Sequence, residues 1–245
     1  MAFFGVASRN LEQKEALRAL SNKKPFVFLT GKAGTGKTLL AEAVGLEHTV
    51  EERRYRKLIY TRLQVPLGRE VGHLPGDIQE KSALYMQPFV DNLEVMTESP
   101  NNIMKYLASG EDGEKAKNQK IFFEPIQTMR GRSLNHSYII IDEAQNLDLL
   151  TISALATRIG IDSKMVFIGN FSQTDIAALR DPSKNGLYKL LAGLYNEGAY
   201  DLFDHINLQE THRNRAIDVV EKILRDHAMA PEMEALEHRG DVDEW

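Results

Sequence analysis

The stretch Gly31-Lys32-Ala33-Gly34-Thr35-Gly36-Lys37-Thr38 leaves a chain few ways to fold. An apolar run, Phe26-Val27-Phe28-Leu29, precedes it, and a helical pattern, Leu39-Leu40-Ala41-Glu42-Ala43-Val44, follows. The spacing G-x-x-x-x-G-K-[ST] between a strand and a helix is the context of a phosphate-binding loop. Glycines let the backbone turn tightly and approach a polyphosphate. Successive N–H groups at a helix N-terminus then face the anion. Gly31, Ala33, Gly34, Thr35, Gly36, Lys37 and Thr38 are therefore the expected nucleotide-binding residues. Lys37 would reach the β- and γ-phosphates, and the Thr38 hydroxyl would ligate Mg²⁺. A Gly-rich turn with no ligand is the plain alternative, and the flanking strand and helix weigh against it.

The rest of the chain alternates short apolar runs with helical patterns. Strands are expected at 26–30, 58–61, 121–124, 138–141, 165–168 and 206–208, and helices at 10–20, 37–52, 78–98, 148–160 and 186–197. An amphipathic helix carrying Ile217, Val220, Ile223 and Leu224 is also expected, and a short one at 101–107. This order implies an α/β fold with a mainly parallel sheet and right-handed crossovers. Asn10 is a good N-cap for the first helix. Gln13 sits at the capping-box position, but its amide also offers the donor and acceptor that an adenine edge requires. Arg53, Arg54, Arg56 and Lys57 cluster where the second helix should end, and a solvated face with favourable charge at a helix C-terminus is the preferred reading for Arg53 and Arg54. Tyr138-Ile139-Ile140-Ile141 reads as a buried parallel strand and ends in Asp142-Glu143. Asp142 suits a second Mg²⁺ contact, and Glu143 could polarise a water. Two acids opening a helix are the plainer alternative. Gln173 follows another buried strand and could bond the γ-phosphate or the attacking water; otherwise it is a surface amide. An arginine in Gln209–Arg215 could stabilise charge on a transferred phosphoryl group, or form a surface ion pair.

With 245 residues the chain fits one large domain, expected over 1–230, followed by an acidic tail over 231–245 that is expected to fray. The net charge of −5 argues against coating nucleic acid through global charge, so any such contact needs a local basic surface. No cysteine is present, which excludes disulfides, a thiol nucleophile and Cys-based zinc. No apolar run approaches the roughly 18 residues of a membrane span, and the N-terminus lacks a basic signal-peptide start. A cytoplasmic location is the default expectation. Residues 62–77 carry two prolines, three glycines and no clean period, a long loop that favours a functional excursion.

Four segments together resemble the PhoH family of P-loop ATPases: GKAGTGKT, YTRLQVPLGREVGHLPGD, MRGRSLNHSYIIIDEAQN and TRIGIDSKMVFIGNFSQTD. The resemblance runs from about residue 10 to 225, and the middle segments are far more specific than a P-loop alone. PhoH proteins in turn resemble the first motor domain of superfamily 1 helicases, which implies a three-layer RecA-like P-loop NTPase domain. That resemblance places Gln13 on the adenine-reading Gln, Asp142 and Glu143 on the DExx box, Gln173 on the sensor, and Arg213 on a phosphate-contacting arginine. This chain departs from the pattern at Asn170, where the sensor carries Asp, and at Thr61-Arg62-Leu63, where Pro usually follows the Arg. Residues 108–118 look like an insertion. No acidic PIN nuclease domain precedes the P-loop, so a short form without a fused ribonuclease is expected.

The expected function is Mg²⁺-dependent ATP hydrolysis coupled to RNA or single-stranded nucleic acid. Arg62, Arg69, Arg130 and Arg132 are the candidate phosphate contacts there, and Tyr60 or His73 the candidate stacking faces. The alternative is an ATP-dependent switch that remodels a protein partner. One motor domain supplies only half of a closed helicase-type site, so a homo-oligomer, with the resemblance implying a hexameric ring, is expected to complete it.

Overall fold

A computed structural model describes residues 2–63, 78–97, 103, 119–211, 219, 223 and 229–242. Arg69, His73, most of the 62–77 loop, the short helix and insertion within 101–118, Arg213 and most of the 217–224 helix lie outside the described residues. The chain opens with a small antiparallel hairpin, β1 (Ala2–Phe3) and β2 (Val6–Ala7), and continues through α1 (Leu11–Ser21), β3 (Phe26–Gly31) and α2 (Lys37–Leu46). There follow β4 (Lys57–Arg62), α3 (Ile78–Met96), β5 (Ile121–Phe123), β6 (Ser137–Asp142) and α4 (Leu149–Ala156). The remaining elements are β7 (Lys164–Ile168), α5 (Gly186–Asn196), β8 (Phe203–Leu208) and α6 (Pro231–His238).

Strands β3 to β8 form one sheet in the order β5-β4-β6-β7-β3-β8, and every pairing in it is parallel. The central strands carry continuous apolar runs through their middles because both faces are covered. Their side chains alternate strictly, as the pleat requires. Val27, Leu29, Tyr138, Ile140, Val166 and Ile168 join one core cluster with α1, α2 and α3. Phe28, Ile139, Ile141, Met165 and Phe167 join the other with α4, α5 and α6. The result is the expected three-layer α/β architecture.

Two expectations give way. The sequence pattern extends the fourth helix over 148–160, but α4 ends at Ala156. Beyond it Ile159 bridges Leu134 and the Gly160 N–H bonds the Leu134 carbonyl, so sheet-edge pairing takes the backbone groups that a longer helix would use. Residues 231–238 are a helix rather than a frayed end. Acidic composition hid its apolar side: Met233 and Leu236 are buried in the second cluster, and the Asn207 N–H donates to the Gly240 carbonyl at 2.7 Å.

Candidate active site

The carboxyl ends of β3, β7, β6 and β4 meet at one cleft, where open parallel sheets place their ligands. Its volume is about 580 Å³, within the range of small-molecule sites. Ala33, Gly34, Gly36, Lys37 and Thr38 line one wall; Arg62, Asp142, Glu143, Asn170 and Gln173 line the other. Strand β7 lies between β3 and β6, so the P-loop and the acidic strand end face each other across one intervening strand.

The glycines serve different ends. Gly31 has φ +100°, and a Cβ there would stand 2.2 Å from the Leu208 carbonyl oxygen, so the approach of β8 requires it. Gly36, at φ +90°, caps α2 and faces the Gln13 amide, where a Cβ would lie 3.3 Å from Nε2. The Lys37 ammonium curls back over the loop and donates to the carbonyls of Gly31 (2.9 Å) and Lys32 (2.5 Å). Thr35 braces the loop by donating its hydroxyl to the Lys32 carbonyl at 3.0 Å.

The Thr38 hydroxyl points at the Asp142 carboxylate, 3.4 and 3.5 Å from its two oxygens. Neighbouring oxygens on an octahedral Mg²⁺ lie roughly 3 Å apart, so this pair fits one ion with little movement. Among the described residues no three His, Asp or Glu side chains gather as a metal cage. The donor set suits an ion shared with a triphosphate, because Mg²⁺ in such sites takes few protein ligands. Tyr60 donates its hydroxyl to Asp142 Oδ2 at 2.7 Å and is 0% exposed. It orients a carboxylate and offers no stacking face, which corrects that expectation.

Glu143 sits in the left-handed region at φ +54°. Its Oε2 accepts from Gln145 Nε2 at 2.6 Å, and its Oε1 lies 3.5 Å from Arg62 Nη2. Burial raises its pKa, and the Asp142 charge adds to the rise; Gln145 and Arg62 oppose it. Arg62 thus lines the cleft and faces Glu143 there. Gln145, which is 0% exposed, also takes the Asn170 N–H on its Oε1 and donates to the Gln173 carbonyl. Sequence reasoning gave Gln145 no role, although it stands in the quoted Asp-Glu-Ala-Gln run. Asn170 Oδ1 caps the turn that carries Gln173, accepting from the Ser172 N–H and hydroxyl. Asn supplies that acceptor without a charge. Glu42, one turn beyond Thr38, was also missed. It is fully buried against Asn92 Nδ2 at 2.9 Å, and burial pushes its pKa well above the usual carboxylate range.

On the far side of the P-loop a second cavity of about 470 Å³ lies between the N-terminal hairpin, Gln13 and Gly34–Gly36. Gln13 borders it with its side-chain oxygen and nitrogen both bonded within the fold. Its N–H bonds the Asn10 cap at 2.7 Å, its Oε1 accepts from the Arg9 N–H at 2.9 Å, and its Nε2 donates to the Thr35 carbonyl at 3.0 Å. It ties the helix start to the P-loop and borders the cavity. Of the other expected nucleic-acid residues, Arg132 is taken up by an ion pair with Glu124, and Arg130 is exposed. Arg69 and Arg213 lie outside the described residues.

A doubly covered parallel sheet with a P-loop, an Asp–Thr pair and a polar turn at its strand ends defines a P-loop NTPase domain. The model of the PhoH-like protein family matches residues 5–225, and the chain belongs to that family. It is similar to Protein PhoH2 of Bacillus subtilis, 41% identical over 75% of this chain and 40% of that protein. It is also similar to Protein PhoH2 of Thermobispora bispora, 33% identical over 91% and 48%. The chain therefore spans about half the length of the curated relatives it matches. Among solved structures the large terminase of a thermophilic bacteriophage overlays 89% of this chain and 50% of that one with a TM-score of 0.47 and 8% identity, too loosely to bear on chemistry. Among the described residues no helix is long and apolar enough to cross a membrane.

Proposed function

We propose that the chain hydrolyses ATP as its Mg²⁺ complex. The observation that carries this is Thr38, Asp142 and Glu143 meeting in the cleft that the P-loop opens. In the proposed cycle the triphosphate takes the N–H groups of Gly34–Thr38 and draws Lys37 off the Gly31 and Lys32 carbonyls. Thr38 and Asp142 would hold the ion, which would supply charge neutralisation for the phosphate oxygens. Asp142 is kept in place by Tyr60. Glu143 takes the proton of the attacking water, and Gln145 fixes its orientation. In this reading Gln173, which lines the same cleft, would meet the γ-phosphate, and the cavity beside Gln13 would take the adenine.

The coupled task is a finer proposal. RNA or single-stranded nucleic acid remains the first candidate, now resting on exposed Arg130 and on Arg69, since Arg62 and Arg132 have partners within the fold. A protein-remodelling switch is the competitor. Among the described residues lining the cleft, Arg62 is the sole arginine and it pairs with Glu143. A second charge-stabilising arginine would come from Arg213 or from a neighbouring subunit in a ring. One experiment tests the whole reading: ATP turnover with Mg²⁺, alone and with RNA, single-stranded DNA and duplex. No turnover under any condition removes the ATPase reading. Turnover indifferent to every nucleic acid removes the coupling and favours the protein-partner switch.

A further inference from the structure

The C-terminal helix places one carboxylate at the foot of the P-loop. Glu237 is 5% exposed. Its Oε1 accepts from the Gly31 N–H at 3.3 Å, and the Phe171 N–H lies near enough to the same carboxylate to favour its ionised form. Gly31 ends β3, and Phe171 opens the turn that carries Gln173. The β3–β7 ladder ends at Leu29 and Ile168, with one further bond from the Gly169 N–H to the Leu29 carbonyl. Beyond that point Glu237 spans the two diverging turns. Lys37 is close enough for its charge to favour the ionised carboxylate against the burial that disfavours it. Helix α6 is itself anchored by Met233 and Leu236 in the core, and just past it Asp241 Oδ1 accepts from Asn207 Nδ2 at 2.5 Å.

We propose that Glu237 is a positioning residue of the nucleotide site: it staples the P-loop to the sensor turn and so sets the spacing between Lys37 and Gln173. Hydrogen bonds from N–H groups to an ionised carboxylate are among the stronger ones in proteins. Removing the carboxylate leaves the buried Gly31 N–H unpaired and takes away the charge that the Phe171 N–H faces. The role in catalysis rests on the ATPase reading above, but the staple itself is a property of the protein without nucleotide.

The test compares wild type, Glu237→Ala and Glu237→Gln by hydrogen exchange without nucleotide, then by kcat and KM for ATP. In Glu237→Ala, exchange over 26–32 and 169–173 should quicken about tenfold or more while α4 keeps its protection. The kcat should fall on the order of tenfold with KM moved much less, because misplaced groups cost most in the transition state. Glu237→Gln keeps an acceptor oxygen and should restore part of both. Faster exchange spread evenly over the sheet overturns the proposal, since the helix then only adds general stability. Local quickening with kcat and KM unchanged overturns it as well. If the wild type shows no turnover, the ATPase reading has failed, and the exchange pattern alone decides whether the staple exists.

Discussion

In the proposed hydrolysis Glu143 is the group that activates water. Its ionised form would accept the proton, so turnover should be lost as pH falls through its pKa. Burial and Asp142 put that loss above the ordinary carboxylate range, while Gln145 and Arg62 hold it down. Glu143→Gln should cut kcat by roughly 10²–10⁴-fold and leave fluorescent-nucleotide affinity near wild type. Arg62→Gln should move the acid limb of the kcat profile to higher pH, because a charge that favours ionised Glu143 is gone. A limb that stays in place would show that Arg62 does not tune this carboxylate. Gly31→Ala tests a different point. It forces a Cβ onto the Leu208 carbonyl at positive φ, and the strained backbone alone should cost about 1–3 kcal/mol in a denaturant titration. Lys37, Thr38, Asp142 and Glu143 were legible in the sequence because strand, spacing and residue type agreed there. Tyr60, Gln145 and Glu237 were not. Each acts on a partner that the fold delivers, and nothing local to the chain announces the meeting.

Helix α1 shows the same contrast at the level of elements. Its N-terminus was readable: Asn10 accepts from the Gln13 N–H as a side-chain cap should. Its C-terminus is finished by distant cations. Arg54 donates to the carbonyls of Ser21 and Asn22, and Lys164, buried at the start of β7, donates to those of Ala19 and Lys24. Cations at a helix C-terminus are favourable, which is the expected reading of Arg53 and Arg54, although the helix served is α1 and not the one that precedes Arg54. Burial pulls the Lys164 pKa down to about 7, despite the favourable Asp204 charge. The folded value therefore lies below the unfolded one of about 10.4. Between them the unfolded chain holds more protons, so this lysine makes the fold more stable as pH rises from about 7. Lys164→Met should be less stable overall, with backbone acceptors unpaired, and should lose that rise. Unfolding free energies at pH 7 and 9 would read it: the wild-type gain attributable to Lys164 is at most about 1.4 kcal/mol per pH unit. Equal pH responses in the two proteins would mean that Lys164 stays charged in its pocket.

Across the whole molecule, strand-helix alternation made the parallel, doubly covered sheet legible. Strand order was not, because β7 enters between β3 and β6 through tertiary pairing that no local pattern encodes. The two faces of that sheet each meet a histidine in its neutral form. His48 is buried beside Phe3, Tyr55 and Tyr138, and burial, helped by Arg54 and Lys164, lowers its pKa to about 4. The 3.6 Å approach of half-exposed Glu52 does not reverse this, so that contact is not an ion pair at neutral pH. His205 lies between the hydroxyls of Thr30 and Tyr195, and burial lowers its pKa to about 3. Both folded values fall below the unfolded value of about 6.5. The unfolded chain then binds more protons across the gap, so stability is lost as pH drops below about 6.5 and the loss levels off only near the folded values. Two such groups together cost about 4 kcal/mol by pH 5 and about 6 kcal/mol by pH 4, a large share of the roughly 5–15 kcal/mol by which native domains are typically stable. His48→Phe keeps an aromatic ring against Phe3 and Tyr138 and removes one proton site. Between pH 7 and 4.5 its unfolding free energy should fall less than that of wild type, by roughly 2–3 kcal/mol. If both proteins weaken in parallel, His48 takes its proton without leaving the core, and the acid sensitivity belongs to His205 and the carboxylates.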